Sequence, residues 1–168
     1  MRNEGGKDQD IIIENHAFTD TNTAIQLGEA LAPYGIFYME EAVHPLNSHS
    51  MREIRDKVNI PLASGERIFT RWGYRPFLEE RSLQVLQPDF CLVGGITEGK
   101  KVADMANVYD CMIQGHCCGG PISTAVALQV ETAIPNFIIH ELHSGALKAH
   151  IRALCKYDYM PKNGYHRV

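Results

Sequence analysis

Short apolar runs alternate with amphipathic stretches along most of the chain. The runs are IIIENH (11–16), IFYMEE (36–41), PLASGE (61–66), VLQPDF (85–90), CMIQGH (111–116) and NFIIHE (136–141). Short apolar runs bounded by polar residues predict buried strands. Between them, Thr21 to Leu31 puts Ala24, Leu27 and Leu31 on one helical face and is stopped by Pro33 and Gly35. Ser48 or Ser50 is placed to cap a helix running to about Lys57, and a further helix is expected near Trp72 to Glu80 despite Gly73 and Pro76. Thr97 is expected to cap Glu98 to Val108, and Pro121 to open a helix reaching about Thr132. Residues 143–156 predict one more helical stretch before a polar tail. Strands alternating with helices imply an α/β fold of parallel strands joined by right-handed crossovers.

Each run closes on an ionisable residue: Glu14, Glu40, Glu66, Asp89, His116 and Glu141, in steps of 26, 26, 23, 27 and 25 residues. One step is about the length of a strand plus a helix. Parallel strands end on the same side, so the six groups would share one mouth, where βα barrels keep their chemistry. A single polar strand end is ordinary loop onset; six in phase point to a site. Glu40 and Glu41 are neighbours of like charge, but successive strand side chains face opposite ways. If Glu40 faces the interior, Glu41 faces the helical layer or the loop.

Composition narrows the classes. The chain has 168 residues, 45% of them hydrophobic, which suits one domain with a real core. Sixteen basic and 20 acidic residues leave a net charge of −4 with no long block of either sign. Nothing in that balance calls for nucleic acid or an anionic membrane. No apolar run approaches the ~18 residues of a membrane span, and the polar start MRNEGGKDQD is no signal peptide. Five cysteines without a CxxC pair support neither a zinc site nor a disulfide framework. A reducing cytoplasm is the compartment expected.

Three carboxylates at one mouth must raise one another's pKa values or enclose a cation. Glu14, Glu40 and Glu66, on stiff strand ends without Cys or His among them, suit Mg²⁺ better than Zn²⁺. His16 lies two residues beyond Glu14 and by strand period shares its face. His116 ends the run following the one that bears Asp89. Asp89 on a neighbouring strand can accept from one imidazole nitrogen and leave the other as a general base.

The strings ENHAFTDTN, FYMEEAVHP, PLASGERIFTRWGY, LQPDFCLVGGITEGKKVADMA, GHCCGGPIST and NFIIHE resemble, over nearly the whole chain, the catalytic barrel of the enolase superfamily. The resemblance is to its mandelate racemase/muconate lactonizing enzyme-like group, and most to sugar-acid dehydratases of the galactonate dehydratase type. It implies a (β/α)8 TIM-barrel type domain, represented by about six βα units (strands 3–8) within residues 1–168. It also implies Mg²⁺ ligands at Glu14, Glu40 and Glu66, an Asp89–His116 dyad, and Glu141 near the substrate carboxylate. His16 matches the histidine two positions after the first ligand. The implied reaction is dehydration of a sugar acid: a base takes the proton next to the carboxylate, an acid helps hydroxide leave, and a 2-keto-3-deoxy acid results. His116 is expected as base and His16 as acid. Arg67 and Arg71 are candidates for touching substrate, though solvated loop arginines are ordinary. Gly94-Gly95 before a helix suggests a phosphate cradle, which a tight turn also explains.

Full members of that group are much longer. They carry a capping domain and two earlier barrel strands, which this stretch lacks, and their first ligand is more often Asp than Glu. Six strands of eight leave two open edges that must pair, in a homo-oligomer or otherwise, or aggregate. Racemisation or epimerisation with His16 and His116 as opposed bases stays open at this point, as does a truncated, non-catalytic remnant.

Overall fold

The computed structural model describes residues 2–156 and 159–166. Five strands, β1 (Ile12–Glu14), β2 (Tyr38–Glu40), β3 (Leu62–Ser64), β4 (Val85–Leu86) and β5 (Met112–Ile113), form one sheet in chain order, and every pair is parallel. The helices are α1 (Arg2–Gly5), α2 (Thr21–Leu31), α3 (Ser48–Lys57), α4 (Thr70–Glu79), α5 (Gly95–Val108), α6 (Pro121–Thr132) and α7 (Ala149–Arg152). The sixth run is a single bridge rather than a strand. Ile113 N–H donates to Asn136 O at 2.8 Å, and Ile138 N–H donates to Ile113 O at 3.0 Å. The βα order is that of an incomplete (β/α)8 barrel.

Side-chain alternation gives the sheet two faces. Met39, Leu62, Leu86 and Ile113 pack outward with helix residues such as Met51, Ile54, Phe77, Val102 and Ala127 in the main core. Tyr38, Ala63 and Val85 form a second, smaller cluster with Phe37, Met112 and Ile138. Tyr38 Oη donates to Gln114 Oε1 at 2.9 Å. That bond runs from β2 to the residue just after β5, skipping two strands, so the sheet curls into an arc with Tyr38 on its concave side.

Several helix starts differ from the sequence expectation, each for a local reason. Asn47, not Ser48 or Ser50, caps α3; its Oδ1 accepts the Ser50 N–H at 3.0 Å. Helix α4 begins at Thr70 and keeps Pro76 inside, at the loss of one i→i−4 bond. Helix α5 begins at Gly95, with Thr97 within its first turn. Gly94 (φ 118°) and Gly95 (φ 84°) make the turn that a side-chain cap was expected to make. Their left-handed backbone accounts for the glycines as a tight βα turn. Residues 143–156 yield a 3-10 turn, Ser144–Leu147, and the one-turn helix α7. The spans of α2 and α6 fall where the pattern placed them.

Phe90 links this scaffold to the mouth. A Cβ at Gly99 on α5 would lie 2.4 Å from the Phe90 ring, and one at Gly115 would lie 2.6 Å from it. The ring therefore sits in a slot between α5 and the segment after β5, and it holds the turn that carries Asp89. Gly99→Ala should overfill that slot and cost about 1–3 kcal/mol of stability, read as a lower urea midpoint. An unchanged midpoint would mean that the slot is slack.

Candidate active site

The site begins with the turns that end each strand. After Glu14 the backbone leaves the extended region, with His16 at φ 47° and Ala17 at φ 57°. The strand-period argument for His16 therefore stops one residue short. The histidine reaches the rim by a left-handed turn, tied by Ala17 N–H to Glu41 O at 2.7 Å, while the His16 N–H donates to Glu14 Oε1 at 2.5 Å. Its Nε2 lies 3.5 Å from Glu66 Oε1.

Glu66 is presented by a loop that only glycine allows. Gly65 has φ 154°, and a Cβ there would sit 2.7 Å from Gln87 N and 2.7 Å from Tyr74 Oη. Tyr74 in turn donates to Gly65 O at 2.7 Å. The other Glu66 oxygen lies 3.3 Å from His116 Nε2. His116 Nδ1 faces Asp89 Oδ2 at 2.7 Å, and Asp89 Oδ1 accepts the Cys91 N–H at 2.7 Å. Asp89, His116, Glu66 and His16 thus form one connected line.

The remaining candidates gather beside it. Glu14, Glu40 and Glu141 line a cavity of about 220 Å³ together with Tyr38 and Gln114. Glu141 Oε2 accepts from Cys117 N–H at 2.8 Å and from Gln114 Nε2 at 3.4 Å. A larger cavity of about 470 Å³ lies behind the sixth run among residues such as Leu128, Phe137 and Tyr165. Its walls are mostly apolar, and the convergent ionisable groups favour the smaller one.

Burial and like charge set the electrostatics. Burial pushes Glu40 up to about 8, and Glu14 and Glu141 add to that, against a hydrogen bond from Gln87. Glu66 is raised, first by burial and then by Glu41. Burial alone would lower His116, but its bond to Asp89 and the charges of Glu141 and Glu66 carry it up to about 9. Burial would raise Asp89; the His116 bond and the Cys91 N–H outweigh it and hold the carboxyl low.

The donor set suits a divalent cation. Glu40 is buried with carboxylates and one amide acting on it and no cationic side chain among them. Hard oxygen donors on strand ends match Mg²⁺ chemistry. In this conformation Glu14, Glu40 and Glu66 are not the tightest set. Among the described residues the group of three whose ligand atoms lie within 4.8 Å of one another is His16, Glu41 and Glu66. Glu41 is fully buried and already paired: Arg67 Nε donates to its Oε1 at 3.1 Å and Arg67 Nη2 to its Oε2. Glu14, Glu40 and Glu66 do not form such a group in this conformation, in which the Glu66 oxygens face His16 and His116.

Arg67 and Arg71 are both committed to protein partners. Arg71 donates through its backbone N–H and its Nε to Glu98 Oε1, at 3.0 and 3.1 Å. Two further residues were overlooked by sequence reasoning. Gln87 Nε2 donates to Gln114 Oε1 at 2.6 Å, and each glutamine precedes Asp89 or His116 by two positions. Period two in a buried run was the signal that could have found them.

The enolase C-terminal domain-like family model matches residues 1–168, and the chain belongs to that family. It is 34% identical over 145 residues to the D-galactonate dehydratase of Cronobacter sakazakii, covering 86% of this chain and 38% of that protein. It is 30% identical over 162 residues to the D-gluconate dehydratase of Thermoproteus tenax, covering 96% of this chain and 30% of that one. A solved enolase superfamily member from Salmonella Typhimurium is 63% identical with a TM-score of 0.97, over 99% of this chain and 43% of the other. The chain thus spans well under half the length of the relatives it matches.

The buried carboxylate makes a pH-dependent prediction. Glu40 has a folded pKa above its unfolded value of 4.5. The stability tied to its protonated form is fully present below pH 4.5 and is lost as pH rises through about 8. Without added divalent cation, Glu40→Gln should therefore stabilise the protein by more than about 1 kcal/mol at pH 9 and change little at pH 4, measured by urea unfolding. Equal effects at both pH values would contradict the assignment.

Proposed function

We propose that residues 1–168 are part of the catalytic barrel of a Mg²⁺-dependent sugar-acid dehydratase, a hydro-lyase acting in the cytoplasm on a small sugar acid. The observation that carries the proposal is the line Asp89–His116–Glu66, with 2.7 and 3.3 Å contacts, beside the buried carboxylates of one rim. The kinship with proteins named D-galactonate and D-gluconate dehydratase supports the substrate class. Among the described residues no helix is long and apolar enough to cross a membrane.

In this reading Glu14, Glu40 and Glu66 would hold the Mg²⁺. The bound ion supplies stabilisation of the negative charge that builds on the substrate carboxylate. Asp89 accepts the Nδ1 proton of His116 and so leaves Nε2 to take the proton next to that carboxylate. A proton taken from carbon needs a strong base, and Asp89 with its neighbouring carboxylates makes His116 one. Neutralising Glu66 lowers the base strength toward the working pH, because Glu66 is one of the charges raising it. His16 delivers a proton to the departing hydroxyl. Glu141, anchored by the Cys117 N–H, faces the substrate carboxylate end of the cavity.

The test is incubation of the purified chain with Mg²⁺ and a panel of sugar acids, scored for a 2-keto-3-deoxy product. Turnover is expected, lost on chelation and reduced about 10²–10⁴-fold in His116→Asn. Exchange of the substrate's α-proton for deuterium without dehydration would instead assign racemase or epimerase chemistry. No reaction with any sugar acid would overturn the proposal.

A further inference from the structure

We propose that Glu131 and His140 are a buried positioning pair that sets the spacing of His116 and Glu141 from behind the sheet. Glu131, on α6, is 2% exposed, and its Oε2 accepts the His140 Nδ1–H at 2.7 Å. The His140 ring is itself packed edge-on against His166, centroids 4.9 Å apart. Glu131 Oε1 and His140 Nε2 are buried and have no hydrogen-bond partner among the described residues. A buried polar pair with unused polar atoms is a poor way to hold a fold, since apolar groups of like volume do so at lower cost.

Its placement explains it better. A Cβ at Gly115 would lie 2.9 Å from Glu131 Oε1, so the carboxylate rests directly against the residue before His116. Its other oxygen holds His140, the residue before Glu141. Gly115 and the His140 ring both meet the Glu131 carboxylate of α6, while Glu141 lines the cavity of about 220 Å³ and His116 faces Asp89 and Glu66. On the cavity side the same two chain ends are tied by the Cys117 N–H and Gln114 amide to Glu141. One carboxylate behind and one in front therefore clamp the ends of the fifth and sixth runs. The consequence for turnover rests on the dehydratase reading; the clamp itself does not.

The experiment is Glu131→Met in the full chain, with amide hydrogen exchange read at Cys117 against Met39, which donates to Pro61 O in the core. The unfolding midpoint should be kept or raised, while Cys117 exchange rises at least about tenfold relative to Met39. Glu131→Gln, which keeps an acceptor for His140, should retain most of the protection. If the wild-type chain dehydrates a sugar acid, E131M should lower kcat about tenfold with KM within about twofold. If E131M does not fold, His140→Met is read by the same exchange ratio. An unchanged Cys117-to-Met39 ratio in the folded variant overturns the clamp whatever the turnover. A changed ratio in a chain without turnover upholds the clamp and removes the dehydratase reading.

Discussion

Parallel strands all end at one rim, and in this chain almost every end carries charge. That single directional fact governs the rest. Burial raises Glu40 and Glu66, and like-charged neighbours raise them further. The local answers differ by position. Glu41 takes Arg67 and Glu66 takes two histidines. Glu40 takes only the Gln87 amide. The least compensated carboxylate is the one best suited to a divalent cation, because neutral donors cannot cancel a buried charge.

Stability and site geometry are coupled through glycines that admit aromatic rings. Gly65 lets Tyr74 reach the backbone just before Glu66, and Gly99 and Gly115 leave the slot for Phe90 beside Asp89. Each ring belongs to the core, and each fixes a turn that presents an ionisable group. Core packing and rim geometry are therefore one structure, and a methyl group added at any of these glycines is felt at the rim.

Family membership rests on the whole of the chain, residues 1–168. The chain has the βα order, the Asp–His pair and the three rim glutamates, and it belongs with the enolase C-terminal domain-like proteins. It spans 38% of the Cronobacter dehydratase and 30% of the Thermoproteus one.

Read alone, the sequence determined the parallel α/β order, the spans of α2 and α6, and the six in-phase rim residues. These follow from periodicity and from strand direction, which are local or one-dimensional properties. It did not determine that the sixth run is a lone bridge at Phe137 or that Asn47 caps α3. Nor did it show that His16 arrives by a left-handed turn. The Asp89–His116 pair was expected from adjacent runs, but tertiary structure alone decided the other partners: Arg67 on Glu41, His116 Nε2 on Glu66, and Glu131 on His140. Those pairings join residues 9 to 50 positions apart by number. Curvature of the sheet and the loop glycines set them, and no spacing along the chain encodes that geometry directly.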